Sequence, residues 1–135
     1  MIHLTTLFLL MAADGVTHVP AKEVAAAQLV RPPAPIVTAE HYLVMSVKRT
    51  EPGQSEIHAK ETDVFYVIDG AATLITGGTI VDGKTTAPDQ IRGSSIKGGQ
   101  IRHIAKGDII TVPKGLPHWI SAVEGSVTYV VVKVL

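Results

Sequence analysis

From residue 36 to the C-terminus, short β-prone runs alternate with turn signals at every few residues, and no window is long enough for a sizeable helix. His41 to Arg49 reads as a strand, turned by Glu51-Pro52-Gly53-Gln54. Ser55 to Lys60 follows, then Val64 to Asp69 ended by Gly70, then Ala71 to Thr76 before Gly77-Gly78. Thr79 to Val81 runs into the hairpin dipeptide Asp82-Gly83. Lys84 to Gly99 is polar, punctuated by glycine, and reads as one long loop. Ile101 to Ala105, Ile109 to Val112, His118 to Val123 and Ser126 to Val134 complete the set, with Glu124-Gly125 turning the last pair. About ten strands in roughly a hundred residues leave room for little but a barrel or a two-sheet roll, so the fold class is all-β.

The preceding residues have a different texture. Residues 1–35 form an N-terminal segment, and residues 36–135 the barrel. Leu4 to Ala13 is apolar, with the length of a signal-peptide core, but no Lys or Arg precedes it. It is too short to span a bilayer. It reads as the remnant of an export signal, an amphipathic helix, or an edge strand packing on a partner, with a structural role preferred. The location is left open by this, cytoplasmic, or exported if residues 1–13 are such a remnant. Gly15 to Val19 is short and β-prone. Ala21 to Leu29 alone has strong helix propensity, and Arg31-Pro32-Pro33-Ala34-Pro35 is a stiff extended connector.

Charge removes whole classes of function. Twelve acidic and twelve basic residues give a formal net charge of +0, without the basic surplus of a nucleic-acid binder or a membrane-surface protein. The same balance permits self-association, and a homodimer is expected. With no cysteine, thiolate chemistry is excluded, leaving His, Asp and Glu as metal donors.

Two stretches carry chemistry. In Gly107-Asp108-Ile109-Ile110-Thr111-Val112-Pro113-Lys114-Gly115-Leu116-Pro117-His118 a β-branched strand is stopped by Pro113, and a Pro-Gly-Pro corner delivers a single histidine to a fixed place. In Glu56 to Gly70, strand alternation points Glu56, His58 and Lys60 the same way, with Asp63 opening the next strand. If that way is inward, a carboxylate, an imidazole and an ammonium share an interior, and such charges need partners or a metal.

The spacing Gly107-x5-Pro113-x-Gly115-x2-His118 resembles the second motif of the cupin family without a gap. The first cupin motif, in outline His-x-His, three or four residues, Glu, six residues, Gly, aligns on Gly70 to place Asp63 at its Glu, His58 at its second His and Glu56 at its first. The resemblance spans roughly residues 40 to 135. It implies a cupin-type jelly-roll β-barrel with a short N-terminal helix, often dimeric, holding a divalent metal on Glu56, His58, Asp63 and His118. Two of these positions depart from the family pattern, Glu56 standing for a His and Asp63 for a Glu, and Ala122 stands where an Asn often follows the last His. A register shorter by one residue makes His58 the first His and puts Lys60, which is no ligand when protonated, at the second.

Such a donor set suits Fe, Mn, Zn, Ni or Cu, with positions open for water or substrate. The expected function is metal binding inside the barrel by a small metalloenzyme acting on a small polar molecule, with Lys60, Glu61 or Tyr66 as acid or base. The alternatives are a non-catalytic small-ligand-binding cupin and a metal-free structural one, in which Glu56 pairs with Lys60. Asp63 has a competing role as a turn cap. His103 is expected to face outward, and His3, His18 and His41 to be ordinary surface or interface residues. Trp119 reads as core or pocket wall, and Tyr66 and Phe65 as strand packing. In the 84–99 stretch, Lys84, Asp89, Arg92 and Lys97 could meet an anionic ligand, but a solvated insertion is the preferred reading.

Overall fold

A computed structural model describes residues 15–135. The apolar stretch Leu4 to Ala13 and His3 lie outside the described residues, as do the readings placed on them. The elements are a helix α1 (Ala21–Ala27) and strands β1 (Val37–Thr38), β2 (Tyr42–Arg49), β3 (Ser55–His58), β4 (Thr62–Thr76), β5 (Thr79–Val81), β6 (Lys84–Ala87), β7 (Gln90–Gly93), β8 (Ser95–Lys97), β9 (Gln100–Ala105), β10 (Ile109–Val112) and β11 (His118–Val134).

The fold is the expected all-β jelly roll with one short helix. Its spine is the antiparallel pair β4 and β11, the two longest strands. β11 also pairs with β2 and, at its first residue, with β3, while β4 carries β9 and β10. The sheet runs on from β3 through β7 to β6, and β5 and β8 form a separate ribbon. One face of the spine is buried: Val67 and Leu74 of β4 pack with Val127, Tyr129 and Val131 of β11, Val47 of β2, Ile104 of β9 and Val112 of β10. Each fully buried side chain of this size stabilises by about 1.5–3 kcal/mol.

The strand boundaries differ from expectation at two instructive places. The runs Val64 to Asp69 and Ala71 to Thr76 belong to the single strand β4, and His118 to Val123 and Ser126 to Val134 to the single strand β11. Gly70 does not end its strand. It takes φ +74° inside β4, opposite an irregularity between Val123 and Val127 where Gly125 takes φ +72°. A glycine in a strand can mark a bulge as readily as a turn.

The second difference concerns residues 84–99, which form β6, β7 and β8 in place of one long loop, although Lys84 to Asp89 are exposed. β7 pairs residue for residue with β3, Glu56 opposite Arg92 and His58 opposite Gln90. The polar side chains that read as loop sit on a strand with one face toward the barrel interior. Toward the N-terminus, Gly15 to Val19 contributes one bridge residue, Thr17, and the helix ends at Ala27. Gln28 then ties the helix to β2 by donating Nε2–H to Ser46 Oγ at 3.1 Å. Among the described residues no helix is long and apolar enough to cross a membrane.

Candidate metal centre

The centre is assembled from cross-strand pairs. His118 opens β11 directly opposite Glu56 of β3, and Lys133, near its end, lies opposite Asp63 at the start of β4. Cβ atoms in such pairs are about 5 Å apart, so the register alone brings these side chains together. The Pro-Gly corner is pinned against the same place, the Gly115 N–H donating to the His58 carbonyl at 2.7 Å and the Gly77 N–H to the Pro117 carbonyl at 2.8 Å. Gly115 takes φ +79°, which a residue with a Cβ adopts only with strain.

All four residues expected at ligand positions converge. His58 Nε2 lies 3.5 Å from Glu56 Oε2 and 3.5 Å from Asp63 Oδ2. His118 Nε2 lies 3.6 Å and 3.5 Å from the same two oxygens. His58, His118 and Asp63 are buried, and Glu56 nearly so. The donor atoms of Glu56, His58 and His118 lie within 4.8 Å of one another.

Hydrogen bonds settle which ring nitrogens face inward. Gln90 donates Nε2–H to Glu61 Oε1 at 3.2 Å, which turns its amide oxygen toward His58 Nδ1. An amide oxygen only accepts, so Nδ1 of His58 carries the proton. His118 Nδ1 likewise donates to the Leu116 carbonyl at 3.2 Å. Both Nε2 atoms are thereby turned toward the carboxylates, and His118 Nε2 is buried with no hydrogen-bond partner. Outer hydrogen bonds that fix a histidine's tautomer in this way characterise metal-ligating imidazoles.

The electrostatics reflect this crowding. Burial raises the cost of a charge on Glu56, yet contacts with His118 and His58 and the nearby Arg92 guanidinium outweigh it and hold the carboxyl far below the usual carboxylate range. For His58, burial is the largest influence and disfavours the imidazolium, as does Lys133, but Glu56, Gln90 and Asp63 together outweigh them and its pKa lies above the ordinary value. Burial pushes the Tyr129 hydroxyl up, against the opposing charge and hydrogen bond of Arg49.

Several residues fall elsewhere than expected. Lys60 does not pair with Glu56. It lies in the turn after β3, largely exposed, 3.5 Å from Asp89, because β3 ends at His58 and strand alternation ends with it. Glu56 instead faces Arg92 at 3.2 Å. Asp63 caps no turn. Its Oδ1 accepts from Lys133 Nζ at 2.9 Å, and the same ammonium reaches His58 Nε2 at 3.2 Å and Glu61 Oε2 at 3.6 Å. The basic group of the centre is thus Lys133, which sequence reasoning missed amid the apolar end of β11. Its parity would have shown it, since 129, 131 and 133 share a face and Tyr129 and Val131 are buried. Tyr66 is half-exposed on the outer face, whereas Phe65 is core, edge-on to Tyr129 with ring centroids 5.3 Å apart. His103 faces outward and pairs with Glu124 at 3.0 Å.

Next to the centre is a cavity of about 120 Å³, lined among others by Met45, Val47, Phe65, Trp119, Tyr129 and Val131, with Arg49 and Arg92 contributing charge. Trp119 is a pocket wall, held by its Nε1–H donating to the Gly53 carbonyl at 2.8 Å.

Known proteins agree with this architecture. No curated protein sequence matches the chain. Among solved structures, protein NMB1881 from Neisseria meningitidis superimposes with a TM-score of 0.58 at 16% identity, covering 84% of this chain and 94% of that one. An RmlC-like cupin family protein with a double-stranded β-helix fold from Methanocaldococcus jannaschii gives 0.53 at 16% identity, covering 74% and 75%. Hydroquinone 1,2-dioxygenase from Sphingomonas sp. TTNP3, with 4-hydroxybenzoate bound, gives 0.57 at 13% identity; 75% of this chain is covered, which spans 64% of that enzyme. At these identities the likeness is one of fold. The family profile described as Cupin matches residues 34–134, nearly all of the barrel and both motif stretches. The chain belongs to the cupin family.

Proposed function

We propose that this cupin holds a divalent metal ion on Glu56, His58 and His118, with the free Oδ2 of Asp63 as a fourth donor, and acts on a small polar molecule admitted through the adjacent cavity. The observation that carries this reading is the pair of inward-turned Nε2 atoms facing two carboxylates, that of His118 buried without a hydrogen-bond partner. An unsatisfied buried acceptor costs about 1–3 kcal/mol, and a cation removes that cost. The mixed nitrogen and oxygen set fits Fe, Mn, Zn, Ni or Cu. Such an ion, when bound, supplies Lewis acidity toward an oxygen or a bound water. Gln90 and the Leu116 carbonyl hold the two rings, Arg92 orients Glu56, and the apolar wall of Phe65 and Val131 limits water.

The test is the metal content of the purified protein after incubation with each of these ions. Wild type should bind one equivalent and the double variant His58→Ala, His118→Ala essentially none. A wild type that stays empty with all five would remove the reading.

One observation favours a second reading, a metal-free binding or structural cupin. Lys133 already places an ammonium against Asp63 and His58, where a cation would sit. Loss of metal binding with stability and ligand binding intact would select it. We also propose a homodimer, on the strength of the exposed apolar neighbours Tyr66 and Ile109, paired across β4 and β10.

A further inference from the structure

Arg49, at the end of β2, has no role in the centre just described. Its guanidinium is nevertheless held in place. Its Nε–H donates to the Tyr129 hydroxyl at 3.0 Å, and it lies against Gly53, where an added Cβ would meet its Cζ at 3.1 Å. Its two terminal nitrogens make no hydrogen bond or ion pair among the described residues. A half-buried, oriented guanidinium with an open donor fork matches a carboxylate, which it can meet with two parallel hydrogen bonds.

Position and charge agree. Arg49, Val47 and Pro33 line both the inner cavity and a shallower groove on its outside that also holds Arg31, Lys48 and Glu51. Three cations against one carboxylate leave the groove net positive, which concentrates anions, and Arg49 stands where groove and cavity meet. Around the centre and the cavity, the carboxylates of Glu56, Glu61 and Asp63 are matched by Lys133, Arg92 and Arg49. The rest of the cavity wall is apolar, and about 120 Å³ approaches the ~150 Å³ of a cavity that admits benzene.

We propose that the ligand is a small monocarboxylate with an apolar body, its carboxylate on the Arg49 fork and its body against Trp119, Met45 and Val131. This deepens the proposed function and takes from it only that the cavity is the binding site. The test is calorimetric titration of the full chain with butanoate and benzoate against the neutral butanamide and benzamide, both metal-free and loaded with zinc. The acids should bind wild type at least tenfold more tightly than the amides. Arg49→Gln should lose at least tenfold for the acids and nothing for the amides, while Arg49→Lys, which keeps the charge without the fork, should fall between.

Equal binding of acids and amides, no binding of either acid, or unaltered acid binding by Arg49→Gln would each overturn the proposal. Acid binding that needs zinc and ignores Arg49 would overturn it and leave the metal reading standing. Arg49-dependent binding by a protein that takes up no metal would do the reverse.

Discussion

At the level of single residues, Lys133 decides how the centre behaves. Its ammonium neutralises Asp63, which is 2% exposed, and occupies the lone pair of His58. It therefore competes with a metal for two of the proposed donors. Lys133→Met should raise metal affinity by about tenfold or more, because a cation about 3–4 Å from the site is worth at least ~1 kcal/mol even in a high effective dielectric. Without metal, the same variant leaves a buried carboxylate unpaired and should be destabilised by about 3–5 kcal/mol. Titration with zinc and thermal melts with and without chelator read the two effects separately, and unchanged affinity would show that Lys133 does not oppose the ion. The residue was hidden in the sequence for a physical reason. A single lysine near the end of an apolar strand reads as a solvent-facing terminus, and only its parity with Tyr129 and Val131 says otherwise. Glu56 and His58 were legible because alternation on β3 needs no tertiary information. Their nearest cation was not, because Lys60 lies past the end of the strand and Arg92 comes from a distant one.

At the level of elements, β7 holds what the sequence concealed. Residues 84–99 are polar and rich in glycine, and four-residue strands that pair at a barrel rim have too little hydrophobic alternation to distinguish them from loop. Their partner, β3, turns Gln90 and Arg92 into supports for His58 and Glu56. Gln90→Ala should weaken metal binding by about 10–100-fold while leaving the fold intact, the usual effect of removing a hydrogen bond behind a ligating imidazole. Zinc titration followed by competition with a chelator measures it; a loss below twofold would mean that β7 does not orient the ring. The strand β4 holds the second concealed feature. Gly70 reads as a stop, but a Cβ there would fall 1.9 Å from the Ser126 carbonyl oxygen, and its φ is +74°. Gly70→Ala should cost about 3 kcal/mol or more in denaturant unfolding, whereas Gly107→Ala, also at positive φ but with open space around it, should cost less.

At the level of the whole molecule, the all-β architecture was legible because turn residues and β-branched runs state it locally, while the merging of four runs into β4 and β11 was not. A bulge and a turn use the same glycine, and only long-range pairing separates them. Quaternary structure belongs to this level too. Net charge is +0, and Tyr66 and Ile109 leave an apolar pair on the outer face. Sedimentation should find a dimer of the wild-type chain and a monomer for Ile109→Lys, and a wild type that sediments as a monomer at tens of micromolar would remove the expectation.

The register of β3 between β11 and β7 has a consequence for how such a centre can diversify. Glu56 and His58 each answer to two neighbours, His118 and Arg92 for the one, Gln90 and the corner at Gly115 for the other. Exchanging a side chain at any of these positions alters the chemistry and leaves the lattice of backbone bonds untouched. Inserting one residue would turn Ser55 and Ile57 inward in their place. The scaffold is permissive to substitution and intolerant of changes in length, so side chains around this centre can be exchanged one at a time, as Glu56 at a family histidine position illustrates, with the fold kept.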